Sequence, residues 1–192
     1  MKLSEIQPKA KMTAAQRRKA VEIARDVIAQ LRLTRIVASP GNYLIINDRN
    51  PESSLYLLDN EPYNGSFKDA LKKHKQITCE VCAIGSVYIG YINRFNNVTT
   101  DQARETDRLD MLQTLSKIFT EDQLCLMEAA FEGSWVYEAS WFQALDNNSR
   151  YNFNSLIDDY YRKYLTANEL LRAIMLNVIR HNGEFRLPIK TR

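Results

Sequence analysis

With 192 residues, 45% of them hydrophobic, the chain can bury a core without disulfides or a structural metal, which sets aside disorder except at the ends. No run approaches the ~18 apolar residues that span a bilayer, and the basic stretch Met1 to Lys19 lacks the apolar centre of a secretory signal. Three cysteines are an odd number for a disulfide framework, so a reduced, cytoplasmic setting is expected, without membrane contact. The net charge of +3 hides an asymmetry: residues 1–35 carry nine Lys/Arg against three Asp/Glu, while residues 99–146 carry three against ten. Such segregation serves contacts within the fold, pairing between two copies of the chain, or steering of a charged partner.

In chain order, residues 1–12 read as a flexible basic arm, and residues 13–192 as a single globular helical domain. Thr13 is placed to cap a helix running to about Leu33. Ala20, Val21, Ala24, Val27, Ile28 and Leu31 recur at helical spacing, leaving Arg17, Arg18, Lys19 and Arg25 largely off the apolar stripe. Arg35–Ser39 and Tyr43–Ile46 are short β-rich runs around Pro40-Gly41-Asn42, which predicts a hairpin, and Leu55–Leu58 can add a third strand. A short helix is expected over Phe67–Lys75. Thr78 to Phe95 is apolar or small nearly throughout and predicts the central buried helix. The acidic stretch Thr100 to Phe119 reads as one helix with Leu109, Leu112, Leu115 and Phe119 on one side. Thr120-Glu-Asp-Gln123 and Thr166-Ala-Asn-Glu169 have the form of capping boxes, with Gly133 and Gly183 placed to end the helices they open. Phe153, Leu156, Ile157, Tyr160 and Tyr164 trace a further amphipathic helix. The expected fold class is therefore mainly α, a compact multi-helix domain with a small β-hairpin or three-stranded β element near residues 35–58.

The chemistry-bearing motifs are few. Cys79-Glu-Val-Cys82 has the spacing of a zinc-ligating or redox pair at a helix start. A tetrahedral site needs four ligands, however, and the remaining soft ligands are Cys125, His74 and His181. Packing explains the motif more simply: Cys82, Ser86 and Gly90 form a strip of small side chains that lets a second helix approach. Glu128 and Glu132 share a helix face, which reads as a solvated acidic surface. Cys125 sits among Leu124, Leu126 and Met127, where burial would leave its thiol inert. The two histidines lie near predicted helix ends, where a cation suits the helix dipole. The six glycines are scattered, with no phosphate-binding glycine loop. Lys9, Lys11, Arg17, Arg18, Lys19 and Arg35 form a basic flank that could contact the phosphates of a nucleotide or nucleic acid. Trp135, Tyr137, Trp141 and Phe142 make an aromatic stretch that fills a core or forms a contact patch for a partner. No cofactor is expected.

Three segments carry a resemblance: Cys82-Ala-Ile-Gly85, then Phe119-Thr-Glu-Asp-Gln-Leu124 leading into Glu128-Ala-Ala-Phe-Glu-Gly133, and Ala173-Ile-Met-Leu-Asn-Val-Ile-Arg-His-Asn-Gly183-Glu-Phe185. Together, over about residues 18–186, they resemble a group of small, mostly helical, largely uncharacterised proteins encoded by phages and mobile elements. The resemblance implies a non-enzymatic accessory protein in a bacterial host cell, acting by binding a host protein, sometimes a defence component. It supplies no functional residue. The leading expectation is thus a protein-interaction factor. Nucleotide or nucleic-acid binding through the N-terminal basic face, and a small metal-dependent hydrolase using Cys79 and Cys82, are the alternatives.

Overall fold

In a computed structural model the structure describes residues 11–48, 66–73, 77–96, 98–133 and 140–187. The mainly helical fold with a small three-stranded sheet matches the expected class. The expected arm (residues 1–12) and the strand Leu55–Leu58 lie outside the described residues, apart from Lys11 and Met12 of the former. Met12 is buried.

Capping explains where the helices begin. Helix α1 (Ala14–Arg32) opens at Thr13, whose side chain accepts from Gln16 N while the Gln16 side chain accepts from Thr13 N. This reciprocal pair satisfies two of the amides that a helix start leaves without partners. Ala20, Ile23, Ala24, Val27 and Ile28 then form its buried stripe. Strand β1 (Ile36–Ala38) follows, and then β2 (Ile45–Asp48). Helix α2 (Phe67–Lys73) leads to strand β3 (Ile77–Val81).

The hairpin expected from Pro40-Gly41-Asn42 does not form. β3 lies between the two earlier strands, parallel to β1 and antiparallel to β2, with Cys79 opposite both Ile36 and Ile46. The turn has another task. Asn42 O accepts from Cys82 N at 2.5 Å, and Gly41 N donates to Glu132 Oε2 at 2.9 Å, so the 40–44 segment is laid over the start of the following helix.

That helix, α3 (Ala83–Phe95), is the central buried one, but it begins five residues later than its apolar run suggests. Ile77–Val81 is β-rich, and Cys82, extended at φ −77° and ψ −173°, is the N-cap whose Sγ accepts from Gly85 N. Two glycines let neighbours close in on α3. A Cβ on Gly85 would lie 1.5 Å from Tyr43 O, and one on Gly90 would meet Ile23 Cγ2 at 3.0 Å. Gly90, in the small-residue strip read from the sequence, thus admits α1, while Gly85, which is not part of that strip, admits the loop.

The acidic stretch is two helices, α4 (Thr100–Glu105) and α5 (Arg108–Leu115), because Thr106 and Asp107 are extended and Asp107 caps α5 by accepting from Asp110 N. The break re-aims the face: Met111, Leu115 and Phe119 are buried, whereas Leu109, expected inside, is exposed. Helix α6 (Glu121–Glu132) starts at Thr120 and ends at Gly133 in the left-handed conformation, φ 62°. Short helix α7 (Ser140–Gln143) precedes α8 (Asn147–Tyr161), which is capped by Asp146. Helix α9 (Ala167–Arg180) carries the capping box read from the sequence at Thr166 with Glu169, whereas at Thr120 only the half in which the threonine accepts from Gln123 N is seen. It ends through Asn182 and Gly183, both at positive φ. Gly183 is constrained twice, because a Cβ there would also come within 2.9 Å of Arg17 Cα. α1 packs on α3 and α9, and α6 packs on α3, α8 and α9, around one buried cluster.

Candidate anion-binding pocket

A cavity of about 190 Å³ opens where α1, α2 and α3 meet, lined by Asp26, Gln30, Arg35, Lys68, Leu71, Lys72, Asn93 and Arg94. Each element delivers its residues by simple geometry. Asp26 and Gln30 stand one turn apart on α1, as do Lys68 and Lys72 on α2, so each pair shares a face. Asn93 and Arg94 belong to the last turn of α3, where polar residues interrupt its apolar run. Past the end of α1, Thr34 takes a left-handed φ of 54°, and Arg35 N then donates back to Gln30 O. A β-branched residue in that region is strained by ~1–3 kcal/mol, and the strained turn is what sets Arg35 beside the cavity.

The lining is four cations around one carboxylate. Among the described residues Arg35, Lys68 and Lys72 make no salt bridge, and Arg94 reaches only the exposed Glu22, at 3.4 Å. Asn93 Nδ2 donates to Asp26 Oδ2 at 3.1 Å. Burial pushes Asp26 above the usual carboxylate range, against the opposing pull of its hydrogen bonds to Asn93 and Gln30 and the charges of Arg94 and Lys68. Gln30 is only 9% exposed, and among the described residues its Oε1 has no hydrogen-bond partner. A buried acceptor without a partner costs ~1–3 kcal/mol.

Of the six basic residues read as phosphate candidates, the structure brings Arg35 alone to this pocket. Lys9 lies outside the described residues, and Lys11 and Arg18 are exposed. Arg17 is committed to Glu184 at 2.5 Å. Burial works to raise the Glu184 carboxyl, but Arg186 and Arg17 together hold it below its ordinary value. Lys19 lies over the Phe95 ring, 5.5 Å from its centroid. Lys68, Lys72 and Arg94 were missed because their only sequence signals are an i, i+4 lysine pair on a short helix and a polar end to an apolar one.

The other candidates fall into place as follows. Cys79 lies in β3 rather than at a helix start, and Cys82 caps α3. Both are buried, and burial pushes each thiol up to about 12, away from the thiolate that a metal or redox site needs. Among the described residues no group of three or more His, Cys, Asp and Glu side chains is placed to hold a metal ion. Cys125 is half-buried, and its thiol is also raised, to about 11. His181 bonds Asn177 through Nδ1, and His74 lies outside the described residues.

Trp135 and Tyr137 lie outside the described residues, and Trp141 is described only as part of the α7 backbone. Phe142 is buried, its ring 6.0 Å from that of Phe153, which makes it core rather than contact surface. Glu128 and Glu132 do not form a solvated face. Glu128 accepts from Tyr43 Oη at 2.8 Å and from Arg108 Nε and Nη2 at 3.2 and 2.9 Å, and Glu132 accepts from Gly41 N. No helix among the described residues is long and apolar enough to cross a membrane. No family model matches the chain, and neither a curated protein nor a solved structure shows significant similarity to it.

Proposed function

We propose that the protein is a non-catalytic binding protein whose ligand is a small phosphorylated molecule, held in the α1–α2–α3 pocket by Arg35, Lys68, Lys72 and Arg94. One observation carries this reading: four cations converge on a cavity with one carboxylate, and three of them have no salt-bridge partner among the described residues. Guanidinium forks match phosphate oxygens in pairs, and lysines add charge without fixed geometry. Among the described residues of its lining there is no Ser, Thr, Cys, Tyr or His. A pocket favours a small ligand over a nucleic-acid backbone, which would track an open basic groove rather than enter a cavity of about 190 Å³.

Isothermal titration of the full chain with inorganic phosphate and pyrophosphate tests the reading, with an oligonucleotide arm beside them. The expected result is saturable binding that weakens with salt and drops at least ~10-fold in Lys68→Ala/Lys72→Ala. The thermal midpoint of that variant should change little, since Lys72 is exposed and neither lysine makes a salt bridge among the described residues. No binding, or binding indifferent to the double substitution, would falsify the assignment. Tight oligonucleotide binding that survives the substitution would move the phosphate contacts back to Lys11 and Arg18 on the exposed basic flank.

A further inference from the structure

A groove of about 580 Å³ follows α9 and the end of α8, sharing no residue with the α1–α2–α3 pocket. Helical spacing orders its wall: Arg172, Leu176 and Arg180 stand at successive four-residue steps on α9 and so share one face. Both arginines are exposed, and Lys163 adds a third exposed cation. Among the described residues none of the three makes a salt bridge. The carboxylate of the groove, Glu169, is occupied at the helix start, where it accepts from Leu165 N and Thr166 N. Leu165, in the turn beside the groove, is 95% exposed. The opposite pattern stands at the junction of α4 and α5. There Glu105, Asp107 and Asp110 are exposed around Leu109, itself 71% exposed, while Arg108 is taken up by Glu128.

We propose that the α8–α9 groove receives the α4–α5 junction of a second copy of this chain, Leu109 meeting Leu176 and Leu165 while the acids pair with Arg172, Arg180 and Lys163. Charge complementarity chooses the occupant: one surface shows leucines amid cations, the other a leucine amid carboxylates. A single exposed leucine is ordinary. Two such surfaces of opposite sign on one chain form a matched pair. Within one copy α5 packs on α3, and α9 on α1, α6 and β1, and no salt bridge among the described residues joins the two surfaces. Pairs of exposed charges are weak and screened, so the association is weak and salt-sensitive, with the leucine contact adding the apolar part. Every copy carries both surfaces, so the contact is heterologous.

Sedimentation equilibrium of the full chain tests the pairing. In ~50 mM salt the average mass should rise above that of one chain as concentration increases, and it should return to one chain in ~500 mM salt. Arg172→Glu/Arg180→Glu and Glu105→Lys/Asp110→Lys should each stay monomeric where the wild type associates. An equimolar mixture of the two should associate again, because the reversed groove then meets the reversed junction. All four residues are exposed, so far-UV circular dichroism of both variants should match the wild type. If a reversed variant fails to fold, Leu109→Ser replaces it and should weaken association at least ~10-fold. A wild-type chain that is monomeric up to ~0.5 mM overturns the inference and leaves the groove to a foreign acidic partner. Association that survives either reversal or Leu109→Ser, or a mixture that stays monomeric, overturns the pairing of these two surfaces.

Discussion

Gly85→Ala is the sharpest perturbation the fold offers. The new Cβ would stand 1.5 Å from Tyr43 O, where real contacts stay beyond 3.0 Å, so the loop carbonyl must retreat by about 1.5 Å. That retreat strips the 40–44 segment of its anchors: Asn42 O to Cys82 N, Gly41 N to Glu132, and Tyr43 Oη to Glu128. At ~1 kcal/mol net for each, the loss is about 3 kcal/mol. Alanine's better helix propensity returns up to ~1 kcal/mol, leaving about 2 kcal/mol of destabilisation. With a urea m-value of ~2 kcal/mol/M, the unfolding midpoint should fall by roughly 1 M at unchanged slope. Gly41→Ala is the control. Its Cβ meets nothing within 4 Å and its φ is +81°, so only the ~1–2 kcal/mol of left-handed strain applies. A Gly85→Ala midpoint at or above the wild-type value would refute the packing of Tyr43 on α3.

Two further outcomes are expected. Because burial raises Asp26 above 3.8, the native state holds that proton more tightly than the unfolded state, so stability falls as pH rises through the raised value. Asp26→Asn should therefore match or exceed the wild-type midpoint near neutral pH and lose its advantage in acid, and an advantage over the wild type that grows as pH falls would contradict the sign. The thiols should be nearly silent in the folded protein. With Cys79 and Cys82 at about 12 and Cys125 at about 11, Ellman's reagent at about pH 8 should meet slow Cys125 first, and all three only in denaturant. Two fast equivalents in the native protein would restore the reactive-pair reading.

What could be read without coordinates was local. Thr13, Thr120 and Thr166 cap helices because a side-chain oxygen and an amide three residues on are neighbours along the chain. Even there tertiary structure intervenes: the Gln123 side chain of the α6 cap accepts from Phe185 N, 62 residues away. The hairpin failed because turn chemistry at Pro40-Gly41-Asn42 reports a turn and not its pairing, and Ile77–Val81 merges with the apolar helix behind it. The single acidic helix failed because Asp107, one acid among many, is a cap. The pocket was illegible for a plainer reason. Its lining spans residues 26 to 94, on three helices and the turn that follows the first, and no spacing rule joins Asp26 to Lys68.

The seat of α1 also has a consequence in time. Its apolar stripe rests on α3 and on α9, and Gly183 and Glu184 close against Arg17. Between Arg32 and Ala167 the ribosome must add 135 residues, which at ~5–20 residues per second takes roughly 7–27 s. Throughout that interval one face of the first helix lacks its final cover. A chain built this way completes its fold late, and the newborn helix is a natural client for a chaperone.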